Sequence, residues 1–308
     1  MSMNKLQKLF HFITHKPSEV VAYAYMKLAF FVPDKPYLKT LFRLKMGKKL
    51  DLDNPRTFNE KLQWLKLYNR NPVFTDMVDK FEVKKLVSEM IGEEYVIPTY
   101  GVWDSFDDID FDQLPDQFVL KTTDGGGGTN VVLCKDKSKL DKAKARKALK
   151  LCKRNEIYQN FREWPYKNIE PRILAEKYLA DIDGRGVSDY KFSCYNGEAH
   201  DVMLCVDREI GDVKFYFFDS NWQLLRYNKR GMAMPKDFSL PKPKNIDKMF
   251  ELAGILSRGI PYLRVDMYNV DGQIYFGELT FFPDSGFDSN LLPETDLLFG
   301  SKINLNIE

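Results

Sequence analysis

The chain has 308 residues, with 46 Lys and Arg against 44 Asp and Glu, a formal net charge of +2. That balance gives no basis for wholesale nucleic-acid binding, and 44% hydrophobic with 29% charged residues describes an ordinary globular protein, neither disordered nor membrane-spanning. At roughly 150 residues per domain, the length suggests about two domains. Four cysteines (Cys134, Cys152, Cys194, Cys205) form no CxxC pair, and three histidines (His11, His15, His200) are scattered, so neither a zinc site nor a disulfide scaffold is expected. Lys5 and Lys8 precede a short apolar run broken by His11 and His15, which is no clean signal peptide. Val20–Val32 contains Lys27 and is too short to span a bilayer, so the expected location is the cytoplasm or its membrane face.

Taken in chain order, residues 1–50 carry ten Lys and Arg against Glu19 and Asp34, a local charge of +8. This suits contact with an anionic membrane or a lipid-linked glycan. The preferred reading is a solvated helical face balanced by the acidic stretch Asp104–Asp116. Helical spacing of apolar residues predicts helices over Asn59–Tyr68 (Leu62, Leu65, Leu67) and Thr75–Met90 (Met77, Phe81, Val83, Leu86). From Tyr95 short β runs take over at Tyr95–Tyr100, Gln117–Thr122 and Asn130–Cys134, followed by a charged helix over Ser138–Arg154. Strands are expected at Ile173–Leu179, Ser188–Asn196, Ala199–Val206, Phe215–Asp219 and Trp222–Arg226. Ile246–Arg258 is amphipathic, with Ile246, Met249, Phe250, Ala253 and Leu256 on one face. Two strands, Tyr262–Tyr268 and Gln273–Thr280, complete the pattern. It lacks regular βαβ alternation, which predicts an α+β protein rather than a Rossmann sheet.

Three segments carry chemistry. In the first, a strand ends at Lys121 and runs through Thr122, Thr123 and Asp124 into Gly125, Gly126, Gly127 and Gly128. Ordering four glycines costs conformational entropy that a plain turn seldom incurs, whereas bare amides lie well against an anion. Neither GxxxxGK[ST] nor GxGxxG is present. The alternative is a solvated hairpin, and Lys121 favours phosphate over it. In the second segment, period-2 alternation puts Arg264, Asp266 and Tyr268 on one strand face and Leu263, Val265 and Met267 on the other. A three-residue loop over Val270–Gly272 would pair Asn269 with Gln273 and Asp266 with Phe276. Ile274, Phe276, Glu278 and Thr280 then join the Arg264 face, and Asp266 and Glu278 become diagonal neighbours able to share Mg²⁺. The competing account is an ion-pair lattice on a wet sheet face. The third segment, Ile173–Leu179, is an apolar strand interrupted by Glu176 and Lys177, which could offer an adenine edge its backbone and carboxylate.

Together these segments resemble the ATP-grasp superfamily over about residues 75–290. The resemblance implies that Lys80 and Lys121 contact nucleotide phosphates beneath a Gly125–Gly128 lid. Adenine would lie against Glu176, Lys177, Tyr178 and Leu179, the ribose on Asp183 or Asp181, and Phe276 would also belong to the nucleotide site. It further implies Mg²⁺ on Asp266, Glu278 and Thr280, the last standing where the family usually has asparagine. Lys191 would sit near the phosphates or substrate, Arg264 would steady the transferred phosphoryl group, and Arg208 would clamp an acidic substrate. More narrowly, Asn54–Lys61 with Trp64-Leu65-Lys66, Asp189-Tyr190-Lys191-Phe192, Asp207-Arg208 and Phe276–Phe281 are similar to the teichuronopeptide-biosynthesis (TupA-like) ATP-grasp family.

That resemblance implies a mainly helical region over 1–94 and an ATP-grasp domain over 95–308, divided into a lid subdomain (95–179) and a metal-bearing subdomain (180–308). The implied activity is an ATP- and Mg²⁺-dependent carboxylate–amine ligase, working through an acyl phosphate on an acidic carbohydrate or amino acid in bacterial surface-polysaccharide synthesis. Pro283–Phe287 is the candidate acceptor loop. No Ser/His/Asp or Cys/His set suggests covalent catalysis. The alternatives are an ATP-grasp kinase, a non-catalytic nucleotide-binding or scaffold protein, and a glycosyltransferase using one of the Asp-x-Asp pairs 51/53, 108/110, 110/112 or 181/183.

Overall fold

The computed structural model describes residues 17–126, 130–149, 156–180, 187–206 and 213–306. Helices α1 (Pro17–Leu28) and α2 (Asp34–Met46) pack on each other around Ala22, Tyr37, Leu38, Leu41 and Phe42. Helix α3 (Phe58–Tyr68) follows, and Asn54–Lys61 contains its start signal. The Thr57 hydroxyl accepts the Glu60 amide at 3.3 Å, while the Glu60 carboxylate accepts the Arg56 and Thr57 amides at 3.0 Å each. This capping box satisfies amides that a helix start otherwise leaves bare.

The helix expected over Thr75–Met90 is broken into α4 (Val73–Val78) and α5 (Val83–Ile91). Asp79 makes the break: its carboxylate accepts the Phe81 and Glu82 amides at 2.8 and 3.0 Å, an alternative to continued helix. The freed Lys80 amide bonds the Thr123 carbonyl at 3.0 Å. Where a strand was expected from Tyr95, a 3₁₀ turn spans Glu93–Tyr95, and β1 (Thr99–Trp103) begins only after Pro98.

A four-stranded antiparallel sheet has the order β1-β4-β2-β3, with β2 Phe118–Thr122, β3 Val131–Cys134 and β4 Ile173–Lys177. In β2, Phe118, Leu120 and Thr122 are buried, and the first two join Ile109, Phe111 and Leu114 in a small core. Val119 and Lys121 face the other way. The charged helix is shorter than expected: α6 (Lys142–Ala148) is capped by Asp141, which accepts the Lys144 amide at 2.9 Å, and 150–155 lie outside the described residues. Helix α7 (Glu156–Phe161) precedes β4.

The second sheet is antiparallel and six-stranded, in the order β10-β9-β5-β6-β7-β8. Its strands are β5 (Ser188–Tyr195), β6 (Glu198–Val206), β7 (Lys214–Phe218), β8 (Leu224–Leu225), β9 (Tyr262–Val270) and β10 (Gln273–Thr280). Between β8 and β9 stand α8 (Lys229–Met232) and α9 (Ile246–Leu256). Helix α9 covers one sheet face: Phe250 meets Phe192 edge-on at 5.0 Å, and Leu263, Val265 and Met267 are fully buried on that side. The opposite face carries Asp189, Lys191, Arg264 and Asp266. Helix α10 (Pro293–Lys302) ends the described elements and packs against α3.

The β9–β10 hairpin corrects the expected register. Asp271 (φ 54°) and Gly272 (φ 99°) form a two-residue turn, so Val270 rather than Asn269 pairs with Gln273. Phe276 therefore pairs with Met267. A bulge at Gly277 then adds one residue and brings Glu278 directly opposite Asp266. A side chain at 277 would place its Cβ 3.0 Å from the Asp266 carbonyl oxygen, which is why glycine suits the bulge.

Candidate active site

On the smaller sheet, Lys121 and Glu176 are diagonal neighbours across β2 and β4. The Glu176 carboxylate is 3% exposed and lies 2.5 Å from both the Lys121 and Lys84 ammonium groups. Burial by itself would raise its proton affinity, but Lys121 and then Lys84 hold it below the usual carboxylate range. Lys84 also donates to the Ile97 carbonyl and the Thr99 hydroxyl, at 2.7 Å each, which fixes it beside β1.

On the larger sheet, Arg264 grips Asp266 with two bonds, Nε to Oδ1 at 2.7 Å and Nη2 to Oδ2 at 2.8 Å. The same Nη2 reaches Glu278 Oε1 at 3.3 Å and the Thr280 hydroxyl at 3.0 Å. Lys191 bonds Asp266 and lies 2.7 Å from Asp189. Against the penalty of burial, Arg264 and Lys191 keep the Asp266 carboxyl below its ordinary value. Asp266 in turn raises Lys191 despite its burial. Arg264, Lys191 and nearby Lys80 face Asp189, Asp266 and Glu278, a balanced set concentrated on one face.

Lys80 connects the two sheets. Its ammonium bonds the Gly125 carbonyl beside β2 and stands 3.9 Å from Glu278 on β10. Burial lowers its proton affinity, and the Glu278 charge opposes that change. Burial first, then the charges of Asp189, Glu278, Asp266 and Glu176, raise the Tyr268 hydroxyl well above its ordinary value. Tyr166 is raised by burial and then by Glu163 and Glu278, which places it at the same junction.

The structure thus brings together Lys80, Lys121, Gly125, Glu176, Lys191, Arg264, Asp266, Glu278 and Thr280. Gly126 follows Gly125 half-buried, while Lys177 is exposed and Tyr178 and Leu179 are half-buried beyond β4. The face expected for Phe276 is corrected: pairing with Met267 puts it, with Ile274, on the side that packs into the core, because the turn is one residue shorter than expected. Gly127, Gly128, Asp183, its alternative Asp181 and Arg208 lie outside the described residues.

Sequence reasoning missed Lys84, Tyr166, Tyr268 and Asp189 as members of this cluster. Lys84 has no signal in its own segment, because the break at Asp79 leaves Lys80 outside the helix that carries Lys84, whereas Tyr268 could have been found from its place on the Arg264 face. Tyr166 has no local signal, because tertiary packing alone delivers it. Within the acidic stretch Asp104–Asp116, Asp107 pairs with Arg146 of α6.

The loop after β10 is also built by residues far away in sequence. Asp284 and Ser285 have left-handed backbones (φ 46° and 53°), a conformation disfavoured for residues with a Cβ unless their surroundings enforce it. Gln63 donates to the Ser285 and Gly286 carbonyls at 3.1 and 2.6 Å, and Lys66 donates to Ser285 O at 2.7 Å. The Ser285 hydroxyl bonds Glu163 at 2.5 Å.

Among the described residues no cluster of three or more His, Cys, Asp or Glu side chains forms a closed metal cage. Two opposed carboxylates with a hydroxyl beside them suit Mg²⁺, which usually takes one or two protein carboxylates and completes its shell with water and phosphate oxygens. The Glu278 carboxylate is one-third exposed and open to such a ligand.

A four-stranded and a six-stranded antiparallel sheet, facing each other across lysines and carboxylates with Gly125 at the junction, define an ATP-grasp protein. The TupA-like ATP-grasp profile matches residues 60–304, and the chain belongs to that family. No curated protein matches it. Among solved structures it is similar to D-alanine–D-alanine ligase from Helicobacter pylori, with 15% identity, 80% of this chain and 69% of that chain covered, and a TM-score of 0.41. It is also similar to the ATP complex of D-alanine–D-alanine ligase from Bacillus anthracis, with 15% identity, 88% and 72% covered, and a TM-score of 0.40. D-cycloserine synthetase DcsG is a third, with 15% identity, 75% and 70% covered, and a TM-score of 0.38.

Proposed function

We propose that the protein is an ATP- and Mg²⁺-dependent carboxylate–amine ligase. The observation that carries this reading is the junction at Lys80. It joins the cationic face of Lys84, Lys121 and Glu176 to the Arg264, Asp266 and Glu278 face, within 3.9 Å of Glu278. A triphosphate and a substrate carboxylate are both anions, so holding them together requires fixed cations rather than a special nucleophile.

In this reading adenine rests near Glu176–Leu179, Lys80 and Lys121 grip the phosphates, and Gly125–Gly128 close over them to exclude water. Asp266 and Glu278, with Thr280 beside them, hold Mg²⁺. When bound, the ion offsets charge on the phosphate oxygens. The substrate carboxylate attacks the γ-phosphorus and the bond to ADP breaks, leaving an acyl phosphate. An amine then attacks the acyl carbon, phosphate departs and the amine nitrogen loses a proton. Arg264 steadies the transferred phosphoryl group and Lys191 keeps Asp266 ionised. Arg208 clamps the acidic substrate, and the Pro283–Phe287 loop borders the acceptor. The substrate pair proposed is a uronic acid of a surface polysaccharide with an amino acid, in the cytoplasm. The family membership supports this choice.

The experiment is ADP release with Mg²⁺–ATP and candidate uronic acids, run with hydroxylamine as the trapping amine. Carboxylate-dependent ADP release with hydroxamate formation is expected. A phosphoester product would establish a kinase instead, and turnover of a nucleotide-sugar without ATP would overturn the reading.

A further inference from the structure

The amino-terminal helices present an apolar surface that none of the chemistry above uses. In α1, Val21 and Leu28 fall on one stripe, the turn that follows exposes Phe30 and Phe31, and all four are 52–75% exposed. Exposed apolar residues scattered singly need no explanation, but a contiguous patch does.

This turn is built rigidly. Arg162, buried at 2% exposure, donates to the Phe30 and Val32 carbonyls at 3.1 Å each, and its guanidinium lies 3.7 Å from the centre of the Tyr37 ring. The Val32 amide closes the turn on the Ala29 carbonyl at 3.0 Å. With the backbone so engaged, the Phe30 and Phe31 rings stand outward, edge to face at 5.7 Å.

The surrounding charge is mostly positive, although on α1 itself Lys27 is paired with Glu156 at 3.2 Å. The two acids of this region are already neutralised, Glu19 by Lys45 at 3.5 Å and Asp34 by Arg70 at 2.5 Å and Arg162 at 3.1 Å. Lys35 and Lys39 are exposed close behind the aromatic turn. An aromatic tip with lysines beside it complements an anionic bilayer, whose acyl region takes the rings while its headgroups take the ammonium groups.

We infer that this turn docks the protein on an anionic lipid bilayer, with Phe30 and Phe31 inserted and Lys35 and Lys39 at the headgroups. Docking goes beyond the ligase reading and does not depend on it, because ATP turnover in solution is measured separately.

The test is flotation of the full chain with phosphatidylcholine vesicles and with vesicles containing about one-third phosphatidylglycerol, a composition chosen to give a strongly negative surface. Wild-type protein is expected to partition at least roughly tenfold more strongly onto the anionic vesicles, and less so in high salt. The Phe30→Ser/Phe31→Ser variant should lose at least about tenfold in partitioning, since two large rings no longer leave water. Its melting temperature and its ADP release in solution should stay the same. Lys35→Glu/Lys39→Glu is a second, independent probe at exposed positions, and it should weaken only the anionic-vesicle binding. Equal recovery of wild type and the Phe variant, or equal binding to both vesicle types, would overturn the inference. So would a wild-type dimer in light scattering that the Phe variant dissolves, because the patch would then belong to a second copy.

Discussion

Asp201 of β6 is fully buried, and neither of its carboxylate oxygens has a hydrogen-bond partner. It pairs in register with Ser193, which on its other side pairs with Arg264, so the residue lies deep on the active-site face. Burial pushes its carboxyl from 3.8 up to about 7. Each tenfold change in proton affinity is worth about 1.36 kcal/mol, so this displacement represents about 4 kcal/mol. The native state binds the proton more tightly than the unfolded chain. This contribution to stability is therefore complete below pH 4 and is lost as pH rises to about 7. Asp201→Asn removes the titration and leaves a neutral amide whose unpaired groups cost roughly 1–3 kcal/mol. The variant should be more stable than wild type by roughly 1–3 kcal/mol at pH 8, and equal or less stable near pH 4.5. Urea unfolding followed by tryptophan fluorescence across that range measures the difference. Two curves separated by a constant offset would refute the reasoning, because Asp201 would then ionise as an ordinary carboxylate.

Lys121→Ala and Glu278→Ala should each cut ADP release by at least about 100-fold with the fold retained, since Lys84 still pairs Glu176 and Glu278 is partly exposed. Normal turnover in the Glu278 variant would remove it from any metal site. Lys66→Met deletes bonds to the Ser285 and Phe161 carbonyls at 2.7 and 2.9 Å and leaves the buried Glu163 without its cation, at a cost of roughly 3 kcal/mol. Burial lowers the Lys66 ammonium to about 7, so the unfolded chain binds more protons above that pH. Wild type should therefore gain more stability than Lys66→Met between pH 7 and 9, as urea midpoints would report. Gly300→Ala would set a Cβ 2.2 Å from the Arg56 carbonyl oxygen, where α10 crosses the start of α3. It should cost roughly 1–3 kcal/mol, and an unchanged melting temperature would contradict that packing.

The sequence made the faces of β9 legible because strand side chains alternate with a fixed period: Arg264 and Asp266 could share no side with Val265. Register was less accessible, since it depends on turn length and on the bulge at Gly277, two one-residue effects invisible to periodicity. Together they turn the expected diagonal relation of Asp266 and Glu278 into a direct one and send Phe276 to the core. The break at Asp79 was hidden for a similar reason, as a side chain capping its own backbone outweighed the apolar spacing around it. Lys121 and the glycines signalled phosphate locally, but the partnership of Lys84 with Glu176 spans β1, β4 and α5 and leaves no mark in either segment. The Asn54–Lys66 phrase was recognisable without its physical purpose. That purpose is a helix start and a clamp on carbonyls more than two hundred residues later.

Phe161, Arg162 and Glu163 are consecutive, yet each serves a different part of the molecule. Phe161 offers its carbonyl to Lys66, Arg162 holds the Phe30–Val32 turn, and Glu163 takes the Ser285 hydroxyl. In evolutionary terms this tripeptide is a linkage group. Recombination that imported foreign helices in place of α1 and α2 would strand a guanidinium in apolar surroundings unless the tripeptide were replaced with them. Replacing the tripeptide would in turn disturb the loop that follows β10. Divergence in this family should therefore change the amino-terminal helices and the loop after β10 together.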